Sequence, residues 1–131
     1  MSGPLIFVSR SKVKPGKLPA FQEHAAEAAD LVEAEEPRMI AFNSYVSADG
    51  TDVATVQVHP DAASLDAHLA LFFAKLRDTA FELLESYEIN VYGSPSERTR
   101  TMLTDMPRQI PGLRVRVLPD HAGGFQRPQP L

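Results

Sequence analysis

The chain contains no cysteine and no tryptophan. Without cysteine there can be no disulfide, no thiolate metal ligand and no cysteine nucleophile, and such a composition suits a cytoplasmic protein. No apolar run approaches the roughly 20 residues that a membrane-spanning helix needs. The opening MSGPLIFVSRSK lacks the basic flank and long apolar stretch of a signal peptide, so no membrane association is expected. GxSxG, Walker and GxGxxG spacings are all missing, which argues against serine hydrolase, nucleotidase and dinucleotide chemistry. Tight histidine spacing such as HxxxH is missing too, so no metal centre is expected.

What is present points to one folded domain and an extension. The 131 residues are 44% hydrophobic and 23% charged, a globular composition of single-domain size. Charge is unevenly spread: residues 1–93 carry a net −7 and residues 94–131 a net +3. An acidic body argues against a nucleic-acid surface. The basic extension is suited to dock on an acidic body, its own or that of a partner.

Apolar alternation predicts a strand from Leu5 to Val13, followed by the turn signal Lys14–Lys17. Pro19 suits a helix's first turn, and Leu18, Phe21, Ala25, Ala28 and Val32 follow helical spacing up to Pro37. Met39–Ser47 and Asp52–His59 read as strands joined through Asp49-Gly50, a strong hairpin signal. Pro60 ends the third strand and Asp61 is a good N-cap for one long helix, Ala62 to about Leu84. Tyr87–Gly93 reads as the fourth strand. The order β-α-β-β-α-β predicts an α+β, ferredoxin-like fold with an antiparallel four-stranded sheet and two helices on one face. Residues 1–93 form this domain. Residues 94–131, with 6 of the 11 prolines, read as a Pro/Arg-rich C-terminal arm with one possible short strand in GLRVRVLP. Both faces of the first two strands carry apolar residues, and a sheet face left bare of helices predicts a homodimer with the arm as a strap.

Two histidines stand close in sequence. His68 shares a helical stripe with Leu65 and Phe72, so it should face the sheet or the cleft edge, as a base or as a satisfied core histidine. His59 alternates with Thr55 and Gln57 on one strand face. Helix and strand rises place His68 level with Gln57 and Thr55 more than with His59, so direct contact between the two rings is not expected. His24 lies on the first helix with Phe21 and Ala28 and could join the same cleft. Asn43 and Tyr45 share a face of the second strand, either the cleft face or the interface. Simple alternation puts Tyr87 and Tyr92 on opposite faces of the last strand.

Two segments, SKVKPGKLPAFQEH and VQVHPDAASLDAHLALFFAKL, resemble the first strand-turn-helix and the third strand-second helix of the antibiotic biosynthesis monooxygenase family. That family belongs to the dimeric α+β barrel superfamily. The resemblance spans about residues 5–93. It implies a homodimer that binds a small aromatic molecule and oxygenates an electron-rich quinol or polyketide-like substrate without a cofactor. His68 would be the base, Asn43, Tyr45, Gln57 and His59 would hold substrate oxygens, and Phe72 would line the wall. This sequence departs from the family in having His59 where tryptophan is common and Gln57 where an acidic residue is common. The second-helix histidine of haem-degrading relatives has no counterpart in AKLRDTAFE, which disfavours haem oxygenation. A non-catalytic ligand-binding or structural dimer, and an isomerase or cyclase on the same scaffold, are the alternative readings.

Overall fold

The computed structural model describes residues 4–127. Strand β1 (Leu5–Val13) runs into a turn at Gly16 and then α1 (Leu18–Glu35), with Pro19 in the first turn where its missing N–H costs nothing. Strands β2 (Ala41–Val46) and β3 (Asp52–His59) form the expected hairpin. Its turn is held by Asp49, whose carboxylate accepts from the Ser47 and Thr51 hydroxyls and from the Thr51 N–H. Those bonds favour the charged form and pull the Asp49 pKa down to about 2. Gly50 supplies the positive φ of 75° that the turn requires.

Asp61 caps α2 (Ala62–Leu71) by accepting from the Ser64 N–H at 3.0 Å. The helix does not continue regularly to Leu84 as the sequence suggests. A π-helical turn, Phe72–Leu76, interrupts it, with the Arg77 N–H bonding back to the Phe72 carbonyl, before α3 (Arg77–Leu83). Apolar periodicity does not register such a turn, because the pattern is apolar on both sides of it. Strand β4 then begins at Leu84 and ends at Tyr92.

The C-terminal extension differs most from expectation. Helix α4 (Glu97–Gln109) and strand β5 (Arg114–Leu118) belong to the same fold, and β5 pairs in parallel with β4. The sheet is therefore five-stranded and mixed, in the order β2-β3-β1-β4-β5, not four-stranded and antiparallel. A parallel neighbour needs a crossover, and α4 provides it. The extension has few apolar residues, but Met102, Leu103, Met106 and Ile110 fall on one helical face. Leu103 and Leu113 are buried with Leu5, Phe7, Leu65 and Val91. Its arginines stay outside, and Arg114 reaches Glu88 of β4 at 3.1 Å. Residues 97–118 thus dock on their own sheet. Pro128–Leu131, the end of the expected arm, lie outside the described residues.

The strand register sorts every residue to a face. On the helix-covered face, Phe42, Gln57, Phe7, Val91 and Val117 form one row across the sheet, and Ser44, Thr55, Ser9, Ile89 and Val115 form the next. On the outer face the rows are Ala41-Val58-Ile6-Tyr92-Leu118, then Asn43-Val56-Val8-Asn90-Arg116, then Tyr45-Ala54-Arg10-Glu88-Arg114. The register slips between Arg10 and Ser11, where β4 carries Tyr87 as an extra residue. This bulge turns Tyr87 to the outer face, its ring beside Arg10 and Lys12 and its hydroxyl donating to Asp52 at 2.9 Å. Tyr87 and Tyr92 therefore share a face, contrary to the alternation, because Tyr87 is the extra residue of the bulge and points to the same side as Glu88.

Candidate active site

Helix α1 ends one residue before Glu36, and Pro37 prevents its continuation. Glu36 lies where an anion opposes the helix dipole. Its side chain is nevertheless only 7% exposed and receives the His68 ring at 2.8 Å, Nδ1 to Oε2. The other carboxylate oxygen, Oε1, is buried without a hydrogen-bond partner among the described residues. His68 is buried by the stripe that also buries Leu65, as the helical spacing implies. With Nδ1–H donating to Glu36, Nε2 carries the lone pair. That nitrogen makes no hydrogen bond within the described residues, and the ring forms part of a cavity wall.

The second histidine backs the first. His59 has no exposed surface; Nε2 donates to Gln57 Oε1 at 3.0 Å, and Nδ1 accepts from the Ser64 hydroxyl at 2.8 Å. Burial, followed by the proximity of His68, lowers its pKa to about 4, against a smaller opposing effect of Asp61. It is a neutral, fully satisfied ring near neutral pH. The two imidazole rings lie 6.0 Å apart and tilted, closer than the rise arithmetic allowed. The backbones stand at different levels, but both side chains reach from their elements into the space between them. Phe42 stands 5.5 Å from His68 on the other side.

The cavity runs between α1, α2, the π-helical turn and the sheet, with a volume of about 130 Å³. Six of the chain's seven phenylalanines line it, together with Met102 and Met106 of α4. Its floor is the sheet, which offers the hydroxyls of Ser9, Ser11, Ser44, Thr55 and Ser86. Among the described residues no Asp, Glu, Lys or Arg side chain lines it, and His68 and His24 are the titratable groups that do. Burial lowers the His24 pKa, with Glu27 opposing. Phe72 and Phe73 sit in the π-helical turn, and Phe73 lines the cavity while 43% exposed, so it marks the mouth. No cluster of three or more metal-binding side chains occurs among the described residues.

The structure brings together His68, Gln57 and Phe72 at the cavity, with His59 directly behind them. It does not bring Asn43 and Tyr45 there. Both lie on the outer face, Tyr45 61% exposed, and cannot touch a ligand held beside His68 within the same chain. Glu36 escaped the sequence reading because EEPR looks like an ordinary helix end. The available signal was a pair of acids at the helix C-terminus, the wrong sign for that position.

The fold and site define a ferredoxin-like α+β protein with a buried His–carboxylate pair at the wall of an apolar cavity. No family model matches the sequence, and no curated protein matches it. Solved structures do. MupZ from Pseudomonas fluorescens matches at TM-score 0.74 and 20% identity, over 96% of each chain, and so includes α4 and β5. SnoaB, a cofactor-independent oxygenase from Streptomyces nogalater, matches at TM-score 0.61 and 20% identity, over 72% of this chain and 95% of its own. A "putative antibiotic biosynthesis monooxygenase" from Nitrosomonas europaea matches at TM-score 0.55 and 22% identity, over 64% of this chain and 82% of its own. The family resemblance in the sequence thus holds at the level of the fold.

Proposed function

We propose that this protein is an enzyme in which His68, held by Glu36, removes a proton from a small uncharged aromatic molecule, and that the reaction is cofactor-independent monooxygenation. One observation carries the reading: a buried imidazole whose Nδ1 is fixed by a buried carboxylate while its Nε2 is free at the wall of an apolar cavity. The carboxylate fixes the tautomer and stabilises the imidazolium that forms on proton uptake. Gln57, its amide oxygen committed to His59, keeps its amide N–H groups for a substrate oxygen. His59 stays neutral and holds Gln57 and the His68 ring in place. Phe42 and Phe72 supply flat apolar walls. An electron-rich phenolate or carbanion in this setting passes an electron to O₂, and the radical pair combines. Loss of water then leaves one oxygen atom on the ring as a carbonyl and the other in the water. The oxygenase name among the structural neighbours supports the choice of reaction.

The test is oxygen uptake with anthrone under ¹⁸O₂, above the rate of autoxidation. Wild type should consume one O₂ per anthraquinone formed and place one labelled oxygen atom in the new carbonyl, and His68→Gln should lose at least about a hundredfold. Proton exchange or isomerisation without oxygen uptake would point to the isomerase or cyclase reading. Binding without turnover would point to the non-catalytic one.

We also propose a homodimer through the outer face. The row Ala41-Val58-Ile6-Tyr92-Leu118 is apolar across all five strands, with Tyr92 42% and Leu118 43% exposed. Tyr92→Glu with Leu118→Glu should yield a folded monomer in sedimentation experiments; an unchanged mass would remove this face from the interface.

A further inference from the structure

The sheet floor of the cavity is layered. Phe42, Gln57 and Phe7 lie beneath the His68 end, and the next row, two residues further along each strand, is Ser44, Thr55 and Ser9. Three neighbouring strands thus present three hydroxyls side by side, at strand spacings of about 4.8 Å and roughly 7 Å from the Gln57 row. All three line the cavity. A half-buried sheet floor under six phenylalanines is a costly place for hydroxyls unless something uses them. Ser44 and Thr55 satisfy one another in part, Oγ to Oγ1 at 2.9 Å. In that pair one hydroxyl donates, so the other keeps its proton, and acceptor lone pairs remain on both. Ser9 makes no side-chain hydrogen bond among the described residues, and its direct cross-strand neighbour is Thr55.

We propose that Ser44, Thr55 and Ser9 form a second recognition point that selects an uncharged substrate carrying a hydroxyl or carbonyl oxygen at the end remote from His68. The inference rests on the reading of this cavity as the substrate site. The hydroxyls can donate or accept, so they suit a neutral oxygen of either kind. They do not suit a carboxylate or a phosphate, because no cationic side chain accompanies them on the cavity wall. The substrate has two polar ends and an apolar middle: one end meets His68 and Gln57, the ring faces meet phenylalanine, and the far oxygen rests on the hydroxyl row.

Three probes test this by direct binding, with turnover not required: 2,6-dihydroxynaphthalene, 2-naphthol, which lacks the second oxygen, and 6-hydroxy-2-naphthoic acid, in which the far group is charged. Wild type should bind the diol about tenfold more tightly than 2-naphthol, the scale of one or two neutral hydrogen bonds. The acid should gain nothing over 2-naphthol. Thr55→Val combined with Ser44→Ala should bring the diol down to the level of 2-naphthol, leaving 2-naphthol itself within about twofold. If that variant does not fold, Ser9→Ala alone must reduce the preference. Equal binding of diol and 2-naphthol to wild type overturns the proposal. So does a preference that survives the substitutions, or tight binding of the acid. His68→Gln separates this proposal from the catalytic one: it should abolish oxygen uptake and keep the preference for the diol.

Discussion

The two faces of this sheet are built from the same five strands and carry opposite chemistry. The helix-covered face mixes phenylalanine with hydroxyl, amide and imidazole groups and bears no Lys, Arg, Asp or Glu along the cavity. The outer face carries charge at one end, where Arg10, Asp52, Glu88 and Arg114 pair with one another, and apolar residues at the other. Charges on the outer face are wet and cheap, worth at most about 1 kcal/mol per pair. Polar groups on the inner face are buried or half-buried, so a partner or a ligand is worth more to each. The inner face is therefore where chemistry is expected, and the outer face is where association is expected.

The sharpest way to break this contrast is to remove the proposed base. His68→Gln keeps a polar group of similar reach but cannot take up a proton, and activity should fall by about 10²–10⁴. Glu36→Gln should fall with it, since the amide neither fixes the imidazole as strongly nor stabilises its cation. If either variant keeps wild-type kcat/KM on a substrate the wild type turns over, the inner face has no such role.

The next effect falls on stability. Leu103 of α4 is 1% exposed and packs with Leu5, Phe7 and Leu65. Leu103→Ala should cost about 2–5 kcal/mol in denaturant unfolding, the range for a buried leucine. A cost below about 0.5 kcal/mol would make α4 a surface appendage and return the C-terminal segment to the status of an arm.

A third effect is a pH dependence. His59 has a folded pKa lowered to about 4, mainly by burial and then by His68. Between that value and the ordinary histidine value of about 6.5 the unfolded chain takes up a proton that the native one refuses. Stability should thus be fully present above pH 6.5 and decline as pH falls toward 4, by on the order of 3 kcal/mol. His24, also lowered by burial, adds in the same direction. Unfolding free energies measured across this range for wild type and His59→Asn should show the slope reduced in the variant, and an identical slope would place the proton elsewhere.

Much of the frame was legible. Leu5–Val13, Leu18–Glu35 and Asp52–His59 appear where periodicity, Pro19, Asp49-Gly50 and Asp61 put them, because local signals and tertiary packing agree there. His68 could be placed on a buried stripe for the same reason. Beyond the C-terminal segment, whose few apolar residues hid α4 and the pairing of β5 with β4, three features were not legible. The π-helical turn leaves no mark in an apolar run. The β4 bulge shifts Tyr87 by one position, which period-2 counting cannot sense. Glu36 meets His68 across 32 residues, a contact that only the tertiary fold creates.

Asn43 and Tyr45 give the smallest and most discriminating prediction. The family resemblance put both among the groups that hold substrate, and the register puts both on the outer face. Asn43 stands opposite Val56 and Tyr45 opposite Ala54, whereas their neighbours Phe42 and Ser44 point into the cavity. A one-residue slip of β2 would exchange the two sets. The register forbids it: Ser44 and Thr55 share a hydrogen bond on the inner side, and Phe42 packs against His68. Asn43→Ala and Tyr45→Phe should therefore leave kcat/KM within about twofold and stability within about 0.5 kcal/mol. Phe42→Ala should cost activity through the His68 wall, and Ser44→Ala should cost affinity for the far oxygen. A large kinetic loss in Asn43→Ala with Ser44→Ala silent would mean that the strand faces are exchanged, and with them the site.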